Sequence, residues 1–327
     1  MMRIDRTIAR VDYVETPLLG IFRPGLGGSM SLFKVFPLHY GDILSMSDKT
    51  VFAIGSGKGG VGKTTTTVNL GTALAQTGER VAIVDADLGM ANLAGFVSLS
   101  TDSTTLHDVL AGNASVSEAT YPLTDNIVAV PSGTGLEAYA ETSPEGLRDV
   151  VDELRDEFSY VFLDVGAGVS HETVLPLGLA DAVLLVSTPE PAAVNDTKKT
   201  LKLTDHAKGT PGGLIITRTR TESSVSPEDI ASRLDLPLVG SIPDDPAVRD
   251  SVYAGTPLVV YDAQRPAAVA YKRLASEFPE IISKIETEGS ATDSRGGPAV
   301  TGAVPDGDGS APIDDPSSGG PSAEPDS

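Results

Sequence analysis

Gly57-Lys-Gly-Gly-Val-Gly-Lys-Thr-Thr65 is the stretch that decides the fold. An apolar run, Val51–Ile54, leads into it, and a helical pattern begins at its end. Strand, glycine loop and helix, in that order, form the context in which a backbone can wrap phosphate. The glycines let N–H groups turn inward toward an anion. The N-terminus of the following helix adds a partial positive charge. Lys63 can reach the outer phosphates of a triphosphate, and the Thr64 hydroxyl can ligate magnesium, the usual partner of a triphosphate. A flexible Gly-rich linker has no need of Lys63-Thr64 at this spacing. The candidate phosphate-binding set is therefore Gly57, Lys58, Gly59, Gly60, Val61, Gly62, Lys63, Thr64 and Thr65.

Working outward, further strand-like runs are Val81–Val84, Ile127–Val130, Tyr160–Leu163, Ala182–Val186, Gly213–Ile216 and Leu238–Gly240. Several are continuous apolar runs bounded by polar residues or glycine, the pattern of strands buried on both faces. Helical patterns lie between them. The clearest runs from Pro144 to Phe158, with Ser143 as its expected cap and Leu147, Val150, Val151, Leu154 and Phe158 on one face. This alternation predicts an α/β fold: a mostly parallel, twisted sheet with helices on both faces.

Composition divides the 327 residues into three pieces. Residues 1–45 carry a net charge of +1 and five of the sixteen Phe and Tyr residues, a composition unlike that of the remaining chain. Met46-Ser-Asp-Lys leads straight into a strand, which fits a true start at Met46 and a non-native or disordered extension, residues 1–45, before it. A membrane-seeking arm through Leu32, Phe33, Val35, Phe36 and Leu38 is the competing reading, and Met30 a second possible start. Residues 46–285 hold the alternating strands and helices. Residues 286–327 carry nine acids against one Arg295 and no aromatic residue, so they cannot bury enough apolar surface to offset ordering entropy and are expected to be disordered. The whole chain has a net charge of -21, with 45 acidic and 24 basic side chains. That balance argues against broad nucleic-acid binding. Asp-rich, Lys-poor composition resembles that of proteins from salt-loving microbes. Absence of Cys excludes disulfides, thiolate metal sites and Cys nucleophiles. No apolar run approaches the ~20 residues of a membrane span.

Lys58 is a lysine that a plain phosphate loop does not require. With it, the chain resembles the MinD/ParA family of deviant Walker A P-loop ATPases, its archaeal MinD-type members above all, over roughly residues 50–285. Val84-Asp-Ala-Asp-Leu-Gly-Met-Ala-Asn-Leu93 resembles the family's first switch, and Phe162-Leu-Asp-Val-Gly-Ala-Gly168 its second. Where the family usually has Ser or Thr and then Pro after the second-switch Asp, this chain has Val165 and Gly166, which removes a hydroxyl and adds freedom. Leu184-Leu-Val-Ser-Thr-Pro-Glu-Pro191 resembles the segment after the next strand. Ile215-Ile-Thr-Arg-Thr-Arg220 falls where the family has Asn-Arg, with Thr217 replacing the Asn that reads adenine and Arg218 retained. The segment from Gly240 to Asp250, then Ala254-Gly-Thr-Pro257, resembles the adenine-side loop, with Pro243 and Asp244 flanking the base.

The resemblance implies ATP and magnesium as cofactors. It implies that Lys63 stabilises phosphate charge, that Thr64 holds the metal with Asp85 and Asp164 in its outer shell, and that Asp87 orients the attacking water. Lys58 would reach the nucleotide of a second copy, so that ATP binding and homodimerisation are linked. Such proteins act as slow cytoplasmic positioning ATPases, at the inner face of a membrane or at a polar assembly, with an activating or cargo protein as partner. They serve the division site or the motility and chemosensory machinery. The terminal amphipathic lipid-binding helix of strict MinD proteins has no counterpart in this sequence, which leaves membrane contact open. A DNA-partitioning ParA role would need a basic surface, for which Lys198, Lys199, Lys202 and Lys208 are the local candidates. An ATP-gated scaffold with negligible hydrolysis, or a biosynthetic ligase of the same fold, would also carry such a phosphate loop. Iron–sulfur carriers need cysteines, and the related tyrosine kinases a tyrosine-rich tail; both are missing.

Overall fold

The continuous apolar runs become interior strands because both of their faces are covered. The structure is a computed structural model that describes residues 49–100, 103–133, 142–168, 171–223 and 225–293. The expectations for residues 1–45 lie outside the described residues. Among the described residues eight strands form one sheet: β1 (Thr50–Gly55), β2 (Val81–Ala86), β3 (Tyr121–Thr124), β4 (Ile127–Val130), β5 (Tyr160–Val165), β6 (Ala182–Ser187), β7 (Pro211–Thr219) and β8 (Leu238–Pro243). Their spatial order is β3-β4-β2-β5-β1-β6-β7-β8. Every pairing is parallel except β3 with β4 at one edge. The α/β fold expected from the sequence is therefore the one observed.

Three local expectations change. β3 is a strand that the sequence pattern did not mark, because Pro122 and half-exposed alternation give it no apolar run. Proline is tolerated there since β3 is an edge strand. Pro144–Gly146 forms a 3-10 turn, and the α-helix proper, Leu147–Glu157, starts after it. Ser143 makes no side-chain cap; its carbonyl accepts the Gly146 N–H instead. The last helix, Pro266–Asp293, continues past Ile285, and residues 294–327 lie outside the described residues.

The α-helices among the described residues are α1 (Lys63–Gln76), α2 (Leu93–Phe96), α3 (Leu106–Leu110), α4 (Leu147–Glu157), α5 (His171–Leu179), α6 (Pro191–His206), α7 (Pro227–Leu234), α8 (Pro246–Tyr253), α9 (Leu258–Tyr261) and α10 (Pro266–Asp293). Alternate residues of β1 feed two cores: Phe52 and Ile54 face α1 and α10, while Val51 and Ala53 face the side covered by α4, α5 and α7. On α10, Ala267, Tyr271, Leu274, Ala275 and Phe278 recur at helical spacing and are buried. Phe278 closes an aromatic cluster, 5.0 Å from Phe52 and 6.0 Å from Phe162 between ring centroids. Such pairs add roughly 0.5–1.5 kcal/mol beyond area burial.

Buried polar contacts tie the first helix to the last ones. Thr66 Oγ1 lies 3.1 Å from the Tyr271 hydroxyl, and the Val259 N–H donates to Asn69 Oδ1 at 3.1 Å. Asp245 caps α8 through the Ala247 N–H and receives the Arg265 guanidinium at 2.6 Å. Burial alone would raise the Asp245 carboxyl, but the bonds from Arg265, Ala247 and Ala267 outweigh it and hold it below the usual range. Among the described residues no helix is long and apolar enough to cross a membrane.

Phe278→Ala is expected to cost about 3–5 kcal/mol of stability, because it opens a cavity between α10 and the sheet. Urea unfolding followed by circular dichroism measures it, and a loss below about 1 kcal/mol would contradict this packing.

Candidate functional site: a phosphate cleft over two buried carboxylates

β1 ends at Gly55, and the loop 57–62 rises from its carboxyl end into α1. Four loop carbonyls are tied down by the surrounding protein. The Ser56 hydroxyl donates to Lys58 O at 3.0 Å. Arg218 Nη2 donates to Gly60 O at 2.6 Å, and the Thr217 hydroxyl to Val61 O at 2.6 Å. Gly62 O accepts the Thr66 N–H at 2.8 Å. In a trans peptide the N–H points opposite to the C=O. Fixing these carbonyls therefore turns the N–H groups of Gly59, Val61, Gly62 and Lys63 the other way.

Glycine is required at two points. Gly62, the residue before α1, has φ 100°, in the left-handed region that L side chains avoid. Gly57 packs against the backbone of α6, where a Cβ would lie 2.1 Å from the Asp196 carbonyl carbon. The N-terminus of α1 carries no side-chain cap and no acidic residue in its first turn. Its first N–H groups are thus left for an anion.

The loop borders a cleft of ≈ 490 Å³ whose wall includes Lys63, Thr64, Thr65, Asp87, Met90 and Gly166. Arg218 also lines it. Behind this wall stand two carboxylates at the ends of neighbouring strands, Asp85 on β2 and Asp164 on β5, in matched register. Both are almost fully buried. Asp164 accepts from the Thr64 hydroxyl at 2.5 Å and from Thr67 at 3.2 Å. Thr64 and Thr67 share a face of α1, one helical turn apart. Asp85 accepts the N–H groups of Asn92 and Leu93 at 3.0 Å, and so caps α2. Ser132 donates to the Asp85 carbonyl at 2.7 Å.

Burial, and then the charge of Asp164, push the Asp85 carboxyl up to about 8. Burial raises Asp164 as well, against the opposing effects of Lys63, Thr64 and Thr67. Burial raises Asp87 too, against Lys63 and the Met90 N–H. A dry carboxylate pair of this kind asks for a proton or a cation. No cluster of three or more His, Asp or Glu side chains among the described residues can hold a metal alone. Magnesium fits this arrangement, since it is typically bound by one or two carboxylates together with phosphate oxygens and water.

The expected residues separate into groups. Gly59, Gly60, Gly62, Lys63, Thr64, Thr65, Asp87 and Arg218 come together at the cleft. Asp85 and Asp164 lie behind it. Lys58 is exposed and not among the lining residues. Thr217, expected at an adenine edge, is buried, with its hydroxyl turned to the loop backbone. Pro243 and Asp244 are also outside the lining; Asp244 pairs with Arg220 at 2.7 Å. Sequence reasoning missed Thr67, Ser132 and His107. His107 Nε2 donates to Leu88 O at 3.1 Å, beside Asp87. The Thr64–Thr67 repeat was a usable signal for the first; the other two contacts join residues far apart in sequence.

Residues 52–258 match the profile of the CobQ/CobB/MinD/ParA nucleotide-binding domain. An uncharacterised ATP-binding protein of Methanocaldococcus jannaschii is 37% identical over 237 residues, covering 72% of this chain and 89% of that protein. The crystal structure of the Pyrococcus furiosus cell division ATPase MinD superposes with a TM-score of 0.68 at 34% identity, covering 71% of this chain and 99% of that one. The septum site-determining protein MinD of Pyrococcus horikoshii, complexed with Mg-ADP, gives 0.67 at 32% identity, covering 72% and 98%.

The carboxylate pair makes a prediction about pH. A folded-state pKa near 8 against an unfolded value near 3.8 means that the native state binds the extra proton. With divalent cations chelated, stability should therefore fall as pH rises between those two values. Melting temperatures across that range test it, and Asp85→Asn should flatten the dependence. A wild-type profile as flat as that of the variant would contradict the buried pair.

Proposed function

This chain belongs to the CobQ/CobB/MinD/ParA nucleotide-binding family, and we propose that it is a MinD-type, ATP-hydrolysing positioning switch. It closes into a homodimer on ATP and magnesium and controls where a cellular assembly forms, at the division site or in motility or chemosensory machinery. Residues 46–285 carry the switch. One observation carries the reading: Lys63, Thr64 and Asp87 line a single cleft, with the buried Asp164 bonded directly behind Thr64.

Each side chain then has a task. The turned-in loop N–H groups and Lys63 hold the phosphates of ATP and stabilise charge as the outer phosphoryl group leaves. Thr64 would hold magnesium, with Asp85 and Asp164 in its outer shell. Magnesium, when bound, neutralises phosphate charge and relieves the repulsion between the two carboxylates. Asp87 orients the water. Its raised pKa suits a group that interacts with a proton of the nucleophile. Lys58 is exposed at the lip of the loop, which supports a role toward a second copy. Arg218 and Thr217 act on the nucleotide through the loop they brace; Pro243 and Asp244 remain the proposed flank of the base.

The positioning role rests on the likeness to cell division and septum site-determining MinD proteins. The partner is an activating or cargo protein. The basic helix that a DNA-partitioning role would use is partly neutralised, with Lys199 paired to Asp196 at 2.8 Å.

Lys63→Ala is expected to abolish ATP binding. Lys58→Ala should keep ATP affinity within a few-fold while losing ATP-linked association. Fluorescent-nucleotide titration and sedimentation velocity read the two effects separately. Equal dimer formation by wild type and Lys58→Ala would refute the role in trans.

A further inference from the structure

Gly166 follows Val165 at the end of β5, and the structure shows what lies against its bare backbone. A Cβ built on Gly166 would lie 3.0 Å from Asp87 Oδ1 and 3.2 Å from its Cγ. Both distances are shorter than ordinary van der Waals contact. The carboxylate of the first switch thus rests directly on the bare backbone of the second.

The Asp87 loop has little room to retreat. Asp87 Oδ1 accepts the Met90 N–H at 3.1 Å, and the Asp87 N–H points to Asp85 Oδ1 at 3.3 Å. His107 holds the next carbonyl, that of Leu88. Asp85 is itself fixed through Asn92, Leu93 and Ser132. With the backbone pinned at these points, a side chain at position 166 would displace the Asp87 carboxylate by a few tenths of an ångström rather than shift the loop. Gly166 is outside the left-handed φ region, so alanine is compatible with its backbone.

We infer that Gly166 is a positioning residue for Asp87: its missing side chain lets the Asp87 carboxylate stand between the Met90 N–H and the second switch, and thereby sets the rate of water attack. This inference rests on the reading of Asp87 as the water-orienting group.

Two readouts test it on the whole chain. The first needs no nucleotide. In 15N-labelled protein, Gly166→Ala should move the Met90 amide proton upfield, in the direction given by Asp87→Ala, because both weaken the same hydrogen bond. The second is single-turnover hydrolysis beside nucleotide affinity. Gly166→Ala should slow hydrolysis about tenfold or more, as misplacement of a reacting group does, while ATP affinity stays within about twofold. In an Asp87→Ala background it should slow nothing further. Gly166→Ser carries the same Cβ and is the second variant if Gly166→Ala does not fold. Hydrolysis by Asp87→Ala at the wild-type rate would sink the Asp87 reading, and this inference with it. A slow Asp87→Ala beside a Gly166→Ala that matches wild type in both readouts would overturn the inference alone. Equal slowing by Gly166→Ala in both backgrounds would also overturn it.

Discussion

Asp85 and Asp164 stand at matched register on neighbouring strands, both removed from water, and the site is arranged around keeping them there. Leaving a charge unpaired in such a place costs several kcal/mol, and two like charges cost more. The protein answers with donors from every side. Thr64 and Thr67 of α1 serve Asp164, and the backbone of Asn92 and Leu93 serves Asp85. These same bonds fix the start of α1 and the start of α2. The phosphate loop and the Asp87 loop are thus positioned by one buried pair.

The loop itself is shaped from outside. Thr217 and Arg218, at the end of β7, reach back to carbonyls more than 150 residues earlier in the chain. Arg218 does so from a left-handed backbone conformation, φ 54°, which non-glycine residues seldom adopt. Strain at that point is consistent with a demand for geometry at the loop. On its far side, α1 is bonded through Thr66 and Asn69 to the helices that end the domain. A change at the phosphate loop therefore has a packed, hydrogen-bonded path to α9 and α10.

Much of this was legible in the sequence, for a physical reason. Strands covered on both faces must be apolar throughout, and most of the sheet was visible as such runs; β8, the other edge strand, was marked by the short run Leu238–Gly240 although it is only alternately buried. β3 was not, because an edge strand with one wet face and Pro122 lacks that signature. That Lys63, Thr64 and Asp87 would meet at one cleft was legible from local motifs, a glycine loop after one strand and an acidic loop after the next. The use of Thr217 was not: its identity as a departure from the family pattern could be seen, but its partner Val61 is set by tertiary packing. His107 and Ser132 are hidden for the same cause. Ser143 misled because capping propensity is local, whereas the turn at Pro144 is followed by Gly146 in a helical conformation.

Unrelieved, the carboxylate pair is a cost to the fold and would repel a triphosphate, and a bound cation relieves both. Nucleotide and metal should then bind with positive coupling, because each makes the site more favourable for the other. The most direct test is calorimetric titration of ATP into the metal-free chain and into the chain saturated with magnesium, at one pH. Affinity is predicted to be at least about tenfold higher with magnesium, within the usual range of such coupling. Equal affinity in the two titrations would contradict the central role of the pair.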